Sequence, residues 1–187
     1  MTTQPQLKNL IDIEEHYQVA TYKKFPFVIE RGEDVWVYTS TGERYLDLYG
    51  GHAVVSTGHS HPRVVKAIAD QAAKFIFYSN LVYNDTRARA AKKLVETAPE
   101  PLTKAFFVNS GTEANENTMK IARMLTERTK IISFEGGFHG RTPGSVSATG
   151  LAKYRENVKP LLDGHVYAGF GNIASVESLL DEDTAAI

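Results

Sequence analysis

Apolar and polar positions set two rhythms along the chain. Up to about residue 50 the apolar stretches are short and broken by turn residues; beyond that they lengthen into helical spacings and continuous apolar runs. Leu7, Leu10, Ile11, Tyr17 and Val19 fit a short amphipathic helix. Pro26 halts helical continuation, residues 28–30 read as extended, and Arg31-Gly32-Glu33-Asp34 reads as a turn. Residues 35–38 and 44–48 are short strands, with Trp36 a core anchor. Thr39-Ser40-Thr41-Gly42 between them supplies the turn of a hairpin. His61 stands at an N-cap and Pro62 at a first helical position. The helix they open runs to about Phe75, with Val64, Val65, Ile68, Ala72 and Phe75 as its buried stripe. Residues 75–83 are apolar and aromatic. Asp85 then caps a helix to about Ala98, with Ala91, Leu94, Val95 and Ala98 inward, and Pro99-Glu100-Pro101 ends it.

The strongest pattern lies in residues 104–144. An apolar run, 104–108, stops at Asn109-Ser110-Gly111-Thr112. A helix follows with Ala114, Thr118, Ile121, Ala122 and Leu125 on one face, and a second apolar run occupies 130–134. Strand, tight turn, helix and strand in that order are the βαβ unit of a parallel sheet. The loop Glu135-Gly136-Gly137-Phe138-His139-Gly140-Arg141 leaves the second strand, and residues 142–150 form a short helix or turn. Asn172 caps a helix over 173–180, on which Val176, Leu179 and Leu180 are apolar. Asp181-Glu182-Asp183 then leads into Thr184-Ala185-Ala186-Ile187, the start of another buried strand. A parallel sheet needs several strands covered on both faces, so the chain reads as the N-terminal part of a longer protein. The fold class is α/β, an incomplete parallel-type sheet with flanking helices plus a small N-terminal portion. The division falls between Tyr49 and Pro62, giving segments 1–55 and 56–187.

Composition narrows the function classes. A net charge of −1 gives no electrostatic reason to expect nucleic acid or membrane partners. The absence of cysteine excludes disulfides, thiol catalysis and cysteine metal sites. The N-terminus lacks a basic segment followed by an apolar core, and no apolar run is long enough to span a bilayer. A cytoplasmic protein is the expectation.

Two stretches carry candidate chemistry. His52, His59 and His61 cluster in sequence, but no Asp, Glu or Cys within the run completes a ligand set, and no metal site is assigned. At the βα turn, the backbone N–H groups of Gly111 and Thr112 and the hydroxyls of Ser110 and Thr112 suit a phosphomonoester at a helix start. A plain capping turn explains the same residues equally well. There is neither a Walker-type Gly-Lys-Ser/Thr nor a G-x-G-x-x-G after the strand. Phe138, flanked by glycine on one side, can stack on a planar ring or pack in a core. Arg141 can hold a carboxylate through two parallel hydrogen bonds or stand as a solvated charge.

Asn109-Ser110-Gly111-Thr112-Glu113-Ala114-Asn115-Glu116, followed by Phe138-His139-Gly140-Arg141-Thr142, resembles the class III aminotransferases. Gly58-His59-Ser60-His61-Pro62 and the hairpin ending in Tyr45-Leu46-Asp47 are similar to them too, so the resemblance covers nearly the whole chain. The nearest branch in appearance is that of acetylornithine, ornithine and other ω-amino-acid aminotransferases. The resemblance implies the pyridoxal 5′-phosphate (PLP) transferase fold type I, the aspartate-aminotransferase architecture. It implies that Ser110, Gly111, Thr112, Phe138 and His139 bind the cofactor, with Phe138 against the pyridine ring. Arg141 is implied to bind the substrate carboxylate, and His52 to lie near the substrate entrance. Homodimers and exchange between amino-acid and keto-acid substrates are implied as well. The family's cofactor-bonding lysine and the Asp that pairs with the pyridine nitrogen match nothing in this chain. No catalytic residue is therefore assigned, and Lys104, Lys120, Lys130 and Lys153 are not in the matching context. A class III aminomutase or decarboxylase, and a non-catalytic or split-chain PLP- or phosphate-binding protein, are the alternatives.

Overall fold

The computed structural model describes residues 4–187, which pack as two compact units, one up to Tyr83 and one from Asn84 to Ile187. The first unit opens with α1 (Gln4–Tyr17). Leu7 and Ile11 are its half-buried positions, while Tyr17 and Val19 are exposed. Lys24 ties the following segment back to it through Glu14, at 2.6 Å. Next comes an antiparallel meander of β1 (Ile29–Glu33), β2 (Trp36–Thr39) and β3 (Arg44–Leu46). The hairpin expected from sequence is its second half. The expected turn at residues 31–34 is instead mostly strand: Arg31, Gly32 and Glu33 pair with Tyr38, Val37 and Trp36. Only Asp34 takes the left-handed conformation that reverses the chain, at φ 50°. Pairing with β2 outweighs the turn propensity of Gly and Asp, because a strand beside a partner satisfies its backbone groups.

The α2 segment (Gly50–Ala53) is a single turn in which Gly50, Gly51, His52 and Ala53 all have positive φ, between 56° and 62°. Two glycines make that conformation inexpensive, whereas His52 and Ala53 hold it against the Cβ penalty. α3 (Pro62–Lys74) starts where expected, with His61 as N-cap and Pro62 in its first turn. Its stripe forms, but the expected burial does not: Val64, Val65, Ile68 and Phe75 are all exposed. Spacing fixes which residues share a face, but burial needs a second layer, and none lies over this stripe among the described residues.

The second unit begins with α4 (Asp85–Thr97). Its cap is Asn84, whose side chain accepts from the Arg87 N–H at 2.8 Å, rather than Asp85 as expected from sequence. Residues 102–108 carry no strand pairing among the described residues, so the first strand of the expected βαβ unit is not assembled. The sheet is parallel, in the order β5 (His165–Ala168), β4 (Lys130–Phe134), β6 (Thr184–Ala186). β4 already has a neighbour on each edge, which leaves no place beside it for residues 104–108. β6 is the strand expected at 184–187. β5 was not read from sequence: it is four residues long and holds a histidine and a tyrosine.

α5 (Gly111–Thr126) lies against this sheet, with α6 (Pro143–Ala148) beside it; α7 (Ala152–Arg155) and α8 (Ile173–Glu177) complete the unit. Met119, Ile131 and Ala148 form the core cluster, with Ala185 and Ala186 against them. The buried side of α5 therefore runs through Thr112, Asn115, Glu116 and Met119. Of the residues that spacing places on one face, Ala114, Thr118, Ile121 and Leu125 are exposed and Ala122 is half-buried. α6 is buried from Gly144 to Ala148, and its hydroxyls are satisfied by backbone: Ser145 donates to the Thr112 carbonyl at 3.2 Å and Ser147 to that of Pro143 at 2.7 Å.

The base of the sheet is held by Arg123, which donates to the carbonyls of Thr129 (2.9 Å) and Asp163 (3.2 Å) and lies 3.3 Å from His165 Nε2. Burial, and next the Arg123 charge, push the His165 pKa down from 6.5 to about 4. The folded chain thus holds this imidazole neutral at a pH where the unfolded chain protonates it. Its contribution to stability is complete above pH 6.5 and is lost as pH falls from 6.5 towards 4. The urea midpoint of the chain is expected to drop across that interval, and a His165→Asn variant to lose the part of the drop centred there. An unchanged pH profile in the variant would contradict this assignment.

Candidate functional site

The first turn of α5 is built by its own sequence. Ser110 is the N-cap, in extended conformation, and its hydroxyl oxygen accepts from the Glu113 N–H at 3.2 Å. Glu113 reaches back to the Asn109 N–H at 2.5 Å, so a Ser and a Glu three apart satisfy donors on both sides of the helix start. The N–H groups of Gly111 and Thr112 are first-turn donors, which no intrahelical carbonyl can reach. A Cβ placed on Gly111 would meet nothing within 4 Å. Open space, outward N–H groups, the positive helix end and the Ser110 O–H together suit an anion. The donor set and the room in front of it fit a phosphate.

Residues 135–141 are fastened to this turn. The His139 carbonyl accepts from Asn115 Nδ2 at 2.7 Å and from the Thr112 hydroxyl at 3.5 Å. On the other side the His139 N–H donates to the Thr149 hydroxyl at 3.0 Å, and the Gly137 carbonyl accepts from the Gly150 N–H at 2.9 Å. Gly140 sits in the tightest place, at φ 137°: a Cβ there would lie 1.6 Å from Thr112 Oγ1. The expected cofactor residues Ser110, Gly111 and Thr112 are thereby brought beside the segment bearing Phe138, His139 and Arg141. Phe138 is 54% exposed and meets Tyr154 edge-on at 5.6 Å, which leaves ring surface for a planar ligand. Arg141 is exposed. The His139 ring has a buried Nδ1 without a partner, and its backbone rather than its ring makes the contacts to α5.

Other candidates resolve differently. His52 belongs to the first unit, where it is exposed and its Nδ1 meets the Tyr49 hydroxyl. His59 pairs with Asp47 at 2.7 Å, and Asp47 also accepts from the N–H groups of Tyr49 and Gly50. That histidine contact, followed by the two N–H donors, holds the Asp47 carboxyl below its ordinary range. Among the described residues no three His, Asp or Glu groups converge on a metal position. Lys130 is ion-paired with Asp181 and bonded to the Leu179 carbonyl, which makes it a fastener of β4. A cleft of about 830 Å³ lies in the first unit between α1 and residues 18–29, and none of the expected site residues lines it. The sequence assigned no individual role to Asn115, Glu116, Thr149 or Tyr154. Asn115 and Glu116 stand three and four residues after Thr112, so helical spacing alone places them on its face.

The pattern of the family described as aminotransferase class-III matches residues 17–186. The acetylornithine aminotransferase of Methanopyrus kandleri is 45% identical over 180 residues, spanning 96% of this chain and 46% of the relative. That of Archaeoglobus fulgidus is 43% identical over 177 residues, spanning 95% and 47%. The chain thus spans about half the length of the curated relatives it matches. Among solved structures, the ornithine aminotransferase of Toxoplasma gondii, with partial occupancy of PLP at its active site, superposes with a TM-score of 0.90. It has 25% identity, over 99% of this chain and 45% of that one. An ω-transaminase variant from Pseudomonas jessenii gives 0.80 at 31% identity, over 86% and 39%. The fold is the type I transferase architecture expected from the sequence.

Two glycines separate structural from ligand roles. Gly140→Ala forces Thr112 and the loop apart and is expected to destabilise the chain by about 1–3 kcal/mol or more. Gly111→Ala meets no atom and is expected to leave the urea midpoint near that of the parent. Equal losses in the two variants would show the loop packing to be misread.

Proposed function

This chain belongs to the class III aminotransferase family, and on that premise we propose that it forms the cofactor-gripping N-terminal part of a PLP-dependent transaminase. The amino group moves between an amino acid, acetylornithine-like or another ω-amino substrate, and a keto acid. One observation carries this reading: the Thr112 and Asn115 contacts to the His139 carbonyl join an anion-binding helix start to the segment bearing an exposed aromatic and an arginine. When bound, PLP supplies the electron sink that lets a bond at the amino-bearing carbon break.

The chain's own residues have the following roles in this reading. The Gly111 and Thr112 N–H groups and the Ser110 hydroxyl hold the phosphate, and Phe138 lies along the ring. His139 keeps the Phe138 segment on α5 through its carbonyl. Arg141 holds the substrate carboxylate by two parallel hydrogen bonds. His52 tunes the substrate entrance; its strained left-handed backbone is the kind found at functional positions. None of this chain's lysines moves the proton; the residue that does, and the acid facing the pyridine nitrogen, are supplied by the rest of the complete protein. Residues 1–55 belong to the small domain of that protein and 56–187 to the start of the large one, a division by domain rather than by the compactness of this chain. The complete protein is a cytoplasmic homodimer taking amino-acid and keto-acid substrates, with no nucleic-acid or membrane partner. A net charge of −1 gives no electrostatic reason for a nucleic-acid or membrane partner, and no helix among the described residues is long and apolar enough to cross a membrane.

In the complete protein, Arg141→Ala is expected to raise KM for the amino acid by about 10- to 100-fold while cofactor affinity stays unchanged. Equal loss of both would remove the carboxylate role. Phe138→Ala is expected to loosen the cofactor and shift its absorbance, and Gly111→Ala to weaken it by filling the phosphate cradle. An unchanged spectrum and affinity in both variants would return these residues to a packing role.

A further inference from the structure

We propose that Glu116 is a positioning residue for Arg141, holding the substrate-binding guanidinium in register with the cofactor helix; the inference rests on the reading of Arg141 given above. Glu116 stands one helical turn beyond Thr112 on the buried face of α5. Its Oε1 accepts from the Thr142 hydroxyl and from the Ser145 N–H at 3.1 Å. Those donors open α6. Thr142 is the N-cap of α6 but makes no side-chain cap bond of its own, so a carboxylate from another helix satisfies the first turn instead. The fit is close: a Cβ on Gly144 would lie 2.3 Å from Glu116 Oε2.

Arg141 is thereby bracketed. Two residues before it, the His139 carbonyl is bonded to Asn115 and Thr112; one residue before it, Gly140 is packed on Thr112. One residue after it, Thr142 is bonded to Glu116. All of these anchors are on the first two turns of α5, the helix whose N-terminus forms the anion cradle. Capture of a carboxylate by two parallel bonds tolerates little displacement of the guanidinium. A side chain that fixes the backbone on the far side of Arg141 therefore acts on substrate affinity without touching substrate. The two bonds need an acceptor oxygen at Oε1, which glutamine also provides, so the negative charge is not required.

The test uses the complete protein. Affinity for pentanoate, a carboxylate that lacks the amino group, is measured by calorimetry, alongside amino-acid KM and cofactor affinity. Glu116→Ala is expected to weaken pentanoate and raise KM by about tenfold or more, with cofactor affinity retained. Glu116→Gln is expected to restore values near those of the parent. The double variant with Arg141→Ala is expected to bind pentanoate no more weakly than Arg141→Ala alone, because the residue acts through Arg141. Additive losses in the double variant, or equal loss of cofactor and carboxylate, would overturn the proposal in favour of a general packing role. If Glu116→Ala does not fold, Thr142→Val removes one of the two donors. A rise in KM with cofactor retained then supports the proposal, and an unchanged KM overturns it. If Arg141→Ala leaves pentanoate binding intact, the carboxylate role itself has failed. If Arg141→Ala weakens pentanoate and Glu116→Ala does not, only the positioning role has failed.

Discussion

The second unit depends on the seating of the first two turns of α5 against residues 135–150. Thr112, Asn115 and Glu116 reach across to the His139 carbonyl, the Thr142 hydroxyl and the Ser145 N–H, and Ser145 returns a bond to the Thr112 carbonyl. These bonds lie in a half-buried to buried setting, where an unmade polar contact costs more than a made one contributes. A network of this kind is stable only when complete. That explains why glycine occupies the close approaches at 140, 144 and 150, where a Cβ would fall 1.6, 2.3 and 1.9 Å from a neighbouring oxygen.

The same seating sets the polarity of the site. The helix end facing outward keeps its N–H groups, the loop keeps its aromatic ring exposed, and the arginine follows one residue after the tightest glycine. Open positions are thus separated from fastened ones along the chain: Gly111, Phe138 and Arg141 face open space or are exposed, while Thr112, His139, Gly140 and Thr142 are held in contacts between α5 and the loop. Below the site, the short parallel sheet is fixed at its start by the Lys130–Asp181 pair and by Asp183, whose carboxylate accepts from the Thr129 hydroxyl at 2.7 Å and N–H at 3.0 Å. Both carboxyls are held below their ordinary range, Asp181 first by Lys130 and Asp183 first by the Thr129 hydroxyl.

Local signals were legible where one residue type has one physical use. Pro62 after His61, Asn172 before Ile173, and Ser110 three residues before Glu113 each mark a helix start that the structure contains. Signals that depend on a neighbour were not. Residues 104–108 have the composition of a strand yet pair with nothing among the described residues, while β5, weaker in composition, does pair because it lies along β4. Asp85 and Asn84 are both good caps by type, and Asn84, with its extended backbone, is the one whose side chain accepts from the Arg87 N–H. The mainly apolar residues that share one face of α5 by spacing are mostly exposed. The face that turns inward instead carries Asn115 and Glu116, because their polar groups find partners there.

The sequence by itself determined most of the helix starts, the α/β class and the family, since each rests on short-range spacing or on the chemistry of single residues. Only the tertiary structure decided which strands pair, which face of α5 is buried and how Arg141 is held. The last two depend on bonds between residues 24 to 33 positions apart, from Asn115 to His139 and from Ser145 to Thr112. No local preference encodes such a pairing: a carboxylate on a helix reads as a solvated charge until the donors of another helix are folded against it.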